Sequence, residues 1–133
     1  MANNKLHLRI TTPRGILLEQ DITEVTAPGK EGYFGILQGH TPFLTSLGPG
    51  IMTVYDNKSK QEFSVHSGFL TIDNNEVNVI TNKIEKPKEI DKSRAKKARE
   101  RAEKRLREQK EETDMRRAEA ALRRAVARLK VAK

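Results

Sequence analysis

Glycine and proline are confined to one part of this chain. All eight glycines and all five prolines lie before residue 88, and residues 88–133 contain neither, nor any aromatic residue. Because Gly and Pro are the residues that most often interrupt regular structure, the second segment can be helical throughout. The sequence therefore predicts two domains of different character, an N-terminal domain over residues 1–87 and a C-terminal helical arm over residues 88–133.

The two segments also differ in charge. Residues 1–87 hold 8 Lys and Arg and 9 Asp and Glu, whereas residues 88–133 hold 18 Lys and Arg and 9 Asp and Glu. The net charge of +8 is therefore carried by the arm. A basic arm of this kind indicates an acidic partner surface, nucleic acid, an anionic lipid or a phosphate-bearing ligand.

Several classes of protein are excluded by composition. The chain has no cysteine, so it has neither disulfides nor thiolate chemistry. Its first residues lack the apolar core of a signal peptide, and no run approaches the ~20 apolar residues that span a bilayer. We expect a soluble protein of the cytoplasm that meets a membrane only through a partner or a surface.

The N-terminal segment has the pattern of short β-strands. Leu6, Leu8 and Ile10 alternate with polar residues, as in a half-buried strand. Further apolar runs, separated by turn residues, cover residues 15–19, 22–27, 33–37, 51–55, 62–66, 68–72 and 76–81. Eight or nine short strands without an intervening helical pattern predict a β-sandwich or a β-barrel.

The N-terminal segment shows no catalytic pattern. His7, His40 and His66 are scattered and lack the i, i+4 spacing of a helical zinc site, so we expect them to be structural or surface residues. A β-sandwich enzyme that acts on a small ligand would need a nucleophile and a base at related positions, and this sequence shows no such constellation. The sequence therefore favours a protein that is not itself an enzyme.

The arm carries two small-residue stripes at helical spacing. The first comprises Ala95, Ala98, Ala102, Leu106 and Gln109, and the second comprises Met115, Ala118, Leu122, Ala125, Leu129 and Ala132. Their packing predicts an antiparallel hairpin, with Thr113 as the N-cap of the second helix. The turn has neither Gly nor Pro, however, so a continuous helix of ~65–70 Å remains an alternative.

The folded and extended forms of the arm are expected to differ little in free energy. A buried methyl or methylene contributes roughly 0.8 kcal/mol, and each alanine offers one methyl. We therefore expect a difference of only a few kcal/mol, which a ligand is able to reverse. The alternative is a permanently folded hairpin with solvated charged faces.

Two glycine-rich segments lead to a family. Residues 32–42 read Gly-Tyr-Phe-Gly-Ile-Leu-Gln-Gly-His-Thr-Pro, and residues 67–70 read Ser-Gly-Phe-Leu. We call the N-terminal domain over residues 1–87 the body. Together with the layout of a β body followed by a helical hairpin, the two segments resemble the epsilon subunit of the bacterial F-type ATP synthase, which carries GxxGILPGHxP and SGGF segments. Two departures are present: Gln38 stands where the family usually has Pro, and the second segment, which His66 precedes, has one Gly fewer.

The resemblance implies the fold and the role. The fold would be an all-β sandwich of about ten strands followed by a two-helix antiparallel hairpin. The protein would be a non-catalytic subunit, peripheral on the cytoplasmic face of the cell membrane, that helps couple proton translocation to ATP synthesis by linking the gamma subunit to the c-ring. Its extended arm would lie along gamma and meet an acidic region of a beta subunit, where it would oppose ATP hydrolysis.

The resemblance also implies an ATP site in the folded arm. Residues 90–95 match the Ile-Asp-x-x-Arg-Ala motif of family members that bind ATP. The implied ATP-binding residues are Glu85, Ile90, Asp91, Arg94, Arg124 and Arg128. Asp91 either caps the first helix or contacts adenine or ribose, and participation of Mg²⁺ stays open. ATP would act as a regulatory ligand that stabilises the folded arm.

The basic arm leaves one alternative function, nucleic-acid binding. Lys- and Arg-rich helices do bind phosphate backbones. Against this, the arm interleaves acidic with basic residues and has no aromatic residue to stack on bases. We therefore expect no nucleic-acid partner and no direct membrane insertion.

Overall fold

The computed structural model describes residues 5–108 and 111–132. The elements are β1 (Leu6–Thr12), β2 (Gly15–Ile22), β3 (Glu24–Gly29), β4 (Gly32–Leu37), β5 (Phe43–Leu47), β6 (Gly50–Asp56), β7 (Ser59–Asp73), β8 (Glu76–Glu85), a 3-10 turn (Pro87–Glu89), α1 (Lys92–Glu108) and α2 (Glu112–Val131). The predicted fold class is confirmed, a β-sandwich followed by a two-helix hairpin. Among the described residues there are eight strands rather than about ten.

The strand predictions differ from the structure in two places. Residues 62–66 and 68–72 were predicted as separate strands, but they belong to the single 15-residue strand β7. The pairing of β7 with β8 shifts between Val65 and Ser67 and again between Ser67 and Phe69. At these two irregularities a glycine and small polar residues interrupt the apolar run. Such residues are typical of a turn, so the sequence pattern predicted a break between two strands where the structure has one irregular strand. The strand β5 was missed.

The long strand β7 joins the two layers of the sandwich. Its first half pairs with β6 and its second half with β5, and both pairings are antiparallel. The first and last strands, β1 and β8, pair in parallel. Gly68 lies at the irregularity with φ of 148°, where an added Cβ would collide with the Ile80 carbonyl oxygen. Only glycine fits at this position.

The core lies between these two layers. Leu6, Leu8 and Ile10 are fully buried, which confirms the alternation seen in the sequence. They pack in one cluster with apolar residues from the other strands, including Met52, Phe63, Leu70 and Ile72. The body therefore has a continuous apolar core of its own.

The arm is a hairpin that lies against the body. Ala95 and Ala102 of α1 and Ala118 and Ala125 of α2 are buried between the helices, as the stripes predicted. Gln109 of the first stripe lies outside the described residues. The predicted N-cap Thr113 was wrong, because α2 begins at Glu112 and its N-cap is Glu111. Glu111 makes no side-chain capping hydrogen bond, so acidic residues in the first turn provide the charge that suits this helix end.

A second buried face of α2 was not predicted. Ala127 and Val131 are one turn apart and are 3% and 2% exposed. They lie roughly opposite Ala125 on the helix, and α2 contacts β6 and β7 as well as α1. The second helix is thus packed on both sides, which positions its charged residues at the junction of arm and body.

Candidate nucleotide site

A cleft opens where the arm leaves the body. It has a volume of about 420 Å³ and lies between the end of β8, the 3-10 turn, α1 and α2. Five of the six predicted ATP-binding residues line it, namely Glu85, Ile90, Asp91, Arg94 and Arg128. The sixth, Arg124, lines an adjoining groove of about 270 Å³ together with Arg128. The structure therefore brings the predicted residues to two connected hollows.

The N-terminus of α1 forms one wall of the cleft. The Asp91 side chain accepts a hydrogen bond from the Arg94 backbone N–H at 3.2 Å, and its carbonyl accepts one from the Ala95 N–H at 3.0 Å. Asp91 is therefore the N-cap of α1, and it also lines the cleft. Ile90, at 8% exposed, anchors this end of the helix.

An ion pair joins the arm to the body inside the cleft. Arg128 Nε donates to Glu85 Oε1 at 2.7 Å, and the two side chains are 21% and 17% exposed. His66 Nε2 lies 3.0 Å from the same oxygen. Burial disfavours the carboxylate of Glu85, but the hydrogen bonds from Arg128 and His66 outweigh it and hold the pKa of Glu85 below its usual range. Glu85 is therefore a charged acceptor shared by two elements.

The two hollows differ in charge. The cleft has Glu85, Glu89 and Asp91 among its basic residues. The described residues that line the adjoining groove are four alanines and Arg101, Arg105, Arg124 and Arg128, with no acidic side chain. Four arginines therefore border a groove whose other lining side chains are small and apolar. This arrangement suits a ligand with a polar, uncharged end and a strongly anionic end.

Some residues of the site were missed in the sequence. Lys83, Lys97 and Arg101 also line the cleft. A helical signal existed for two of them, since Lys97 and Arg101 lie three and seven residues after Arg94 and so share its face of α1. Nothing in the sequence indicated the pair between Glu85 and Arg128, which are separated by 43 positions.

Other kinds of site are not evident in the described part of the chain. No group of three or more His, Asp or Glu side chains in residues 5–108 and 111–132 has an arrangement that would hold a metal ion. In the same ranges, neither helix combines the length and apolar character needed to cross a bilayer.

Comparison with known proteins gives a consistent result over the whole chain. The family model for the beta-sandwich domain of the ATP synthase delta/epsilon chain matches residues 5–87, and the model for its long alpha-helix domain matches residues 88–133. The ATP synthase epsilon chain of Moorella thermoacetica is 44% identical over 128 residues, covering 96% of both chains. That of Nitratidesulfovibrio vulgaris (strain DP4) is 43% identical over 126 residues, covering 95% of this chain and 94% of the relative.

Solved structures agree. A chain in the Euglena gracilis mitochondrial ATP synthase (OSCP/F1/c-ring) superposes with a TM-score of 0.80 at 25% identity, covering 92% of this chain and 78% of that one. A chain in the Tetrahymena thermophila mitochondrial ATP synthase (central stalk and c-ring) gives a TM-score of 0.65 at 14% identity over the full length of both, a likeness of fold alone. With both domains and the full-length relatives in agreement, the chain belongs to the ATP synthase delta/epsilon family.

Proposed function

We propose that this chain is the epsilon subunit of a bacterial F-type ATP synthase, a non-catalytic subunit of the central stalk. It links the gamma subunit to the c-ring at the cytoplasmic face of the cell membrane, and its arm regulates ATP hydrolysis. The observation that carries this proposal is the 43–44% identity to bacterial epsilon chains over nearly the whole length. The basic-arm alternative, nucleic-acid binding, has no support among these relatives.

The body offers an apolar surface for the stalk. Phe69 and Ile80 are paired across β7 and β8 and are 57% and 60% exposed, and Leu44 on the neighbouring strand β5 is 68% exposed. Exposed apolar residues that lie together mark an interaction surface. Phe69 and Ile80 also line a cleft with Ala120 and Arg124 of α2. A partner here touches both body and arm, as expected of the gamma subunit along which the arm extends.

The folded arm is held largely by small side chains, which supports a mobile element. Its buried apolar residues are mostly alanines, and each methyl contributes roughly 0.8 kcal/mol. A polar connection between α2 and the body is formed by Arg128 with Glu85, which His66 also contacts. When extended, the arm presents its basic residues to an acidic region of a beta subunit and opposes hydrolysis, with charge complementarity guiding the contact.

The cleft and its adjoining groove form the proposed ATP site. The adenine and ribose lie beside Ile90 and the start of α1, and the triphosphate lies in the groove between Arg124 and Arg128. Because this ligand contacts α1, α2 and β8 together, it binds the folded arm only. Binding at a hundred times Kd would stabilise the folded arm by about 2.7 kcal/mol. Low ATP then favours release of the arm and inhibition.

Titration calorimetry on the full chain tests the site. We expect heat from ATP with the intact chain and at least a tenfold weaker Kd for Arg124→Ala and for Arg128→Ala, because both residues line the groove proposed for the triphosphate and charge-assisted contacts to phosphate contribute more than about 1.4 kcal/mol each. Arg116→Ala is the matched control, since Arg116 lies on α2 but is 77% exposed and outside the cleft. No heat from the intact chain, or equal losses in all three variants, would refute the site.

A further inference from the structure

His66 occupies the position where β7 changes its pairing. It lies within the first irregularity of β7, between Val65 and Ser67, and its side chain is 11% exposed. Its Nε2 atom lies 3.0 Å from Glu85 Oε1, which also accepts the 2.7 Å hydrogen bond from Arg128 Nε. A single carboxylate oxygen thus connects β7, β8 and α2. None of the sequence signals that led to the ATP site included this histidine.

We propose that His66 is a positioning residue that holds Glu85 against Arg128 while its imidazole is neutral, so that acidification releases the arm from the body. The inference rests on the mobile arm of the proposed function and adds a second input to it besides ATP.

The hydrogen-bond chemistry fixes which form of His66 fits. An ionised Glu85 only accepts hydrogen bonds and Arg128 only donates them, so Nε2 of His66 must carry a proton to bond to Glu85. The neutral imidazole then has an unprotonated Nδ1. A further proton at Nδ1 places a second positive charge against a carboxylate that Arg128 already neutralises.

The surroundings of His66 are mainly basic. Glu85 and Lys83 face it from β8, and Arg128 faces it from α2. The cleft that His66 lines on its other side also contains Lys30, Arg123 and Arg124. The acidic residue of the 3-10 turn, Glu89, lies in the nucleotide cleft beyond Glu85. Protonation of His66 therefore adds positive charge where the folded arm has already concentrated it.

The direction of the pH effect follows from linkage. Burial lowers the pKa of His66, the charges of Arg128 and Lys83 lower it further, and only the contact with Glu85 raises it. When α2 leaves the body, His66 becomes more exposed to solvent and loses the nearby charge of Arg128. The pKa of His66 then returns toward 6.5. The released arm then takes up the proton more readily. Docking is at full strength above pH ~6.5 and weakens as the pH falls below it, by at most about tenfold per pH unit for one proton.

Hydrogen exchange of α2 in the full chain tests the proposal without ATP. We expect the protection of amides 120–131, corrected for intrinsic rates, to fall between pH 7 and 5.5 by up to about tenfold per unit. His66→Gln keeps an N–H donor but does not titrate, so its protection should change less than twofold over this range. His40→Gln, in the loop between β4 and β5, should behave as the unsubstituted chain does. A pH-independent intact chain, or an equal fall in His66→Gln, would overturn the proposal.

A second measurement does not depend on a substitution at His66. The imidazole resonances of the three histidines, followed by NMR, should give His66 a pKa below 6.5 that rises in Arg128→Ala. An unchanged value would contradict coupling between His66 and the arm. Calorimetry with ATP at pH 8 separates the two proposals. If the intact chain does not bind ATP but α2 protection still depends on pH through His66, the ATP site alone is refuted. If the chain binds ATP but His66→Gln shows the same pH dependence of α2 protection as the intact chain, the proposal for His66 alone is refuted.

Discussion

The ion pair between Glu85 and Arg128 should contribute much of the free energy that docks the arm. Removing one partner of a fully buried pair costs about 3–5 kcal/mol, whereas exposed pairs contribute about 0.2–1 kcal/mol. Since roughly four-fifths of both side chains is covered, we expect Arg128→Met to weaken docking by about 2–3 kcal/mol, or roughly 30- to 150-fold. This loss is comparable to the whole expected difference between the folded and extended arms.

The exchange protection of α2, measured at pH 8 without nucleotide, gives this free energy directly. Arg128→Met should reduce protection over residues 120–131 and leave the body unchanged. Glu85→Gln should have an effect in the same direction, and the double variant should lose less than the sum of the two, because both remove one interaction.

The chain contains a matched control on the same helix. Arg116 contacts Glu112 at 2.8 Å, but the two side chains are 77% and 80% exposed. Exposed pairs of this i, i+4 type contribute about 0.2–0.5 kcal/mol, so Arg116→Met should change protection about twofold or less. Additive effects of Arg128→Met and Glu85→Gln, or equal losses from Arg116→Met and Arg128→Met, would show that burial does not give the pair its strength.

Three further predictions concern packing and partners. Gly68→Ala should lower the free energy of unfolding of the body by more than 2 kcal/mol in urea denaturation, because the new Cβ meets the Ile80 carbonyl. Gly15→Ala is the control, because its Cβ would enter open space and the substitution should cost only about 1 kcal/mol of backbone strain. Equal losses in the two variants would contradict the steric argument. Ala125→Leu should separate the helices at a cost of about 1–3 kcal/mol and make the arm sensitive to limited proteolysis; unchanged cleavage would contradict close packing. Phe69→Ser combined with Ile80→Ser should leave stability unchanged but abolish co-purification with the gamma subunit, and retained gamma would place its contact elsewhere.

The sequence predicted those features that local periodicity encodes. The alternation of Leu6, Leu8 and Ile10 specified the buried face of β1, and the alanine spacing specified the contact between α1 and α2. Local patterns did not reveal that β7 is continuous, because its irregularities at Ser67 carry the residues of a turn. The N-cap of α2 was misplaced for a related reason, since a good capping residue at Thr113 does not oblige the helix to begin there.

The site was predicted in part because its residues lie in two short segments. The start of α1 and the end of α2 carry the motif residues, and the resemblance to a family placed them together. The contact of Glu85 with Arg128 and His66 depends on how β7, β8 and α2 meet in three dimensions. No spacing rule relates positions so far apart. The missed face of Ala127 and Val131 is similar, because it packs on strands that are distant in sequence.

The parallel pairing of β1 with β8 has a consequence for how the protein is made. His7 lies opposite Glu76, so β1 waits for its second neighbour until about 70 more residues have been synthesised, which takes roughly 4–14 s at 5–20 residues per second. During this time the nascent chain has an apolar strand with one unsatisfied edge, to which chaperones can bind. The body closes only when β8 emerges, and the arm is translated after it. Each newly made molecule therefore completes its β-sandwich before its helical arm exists.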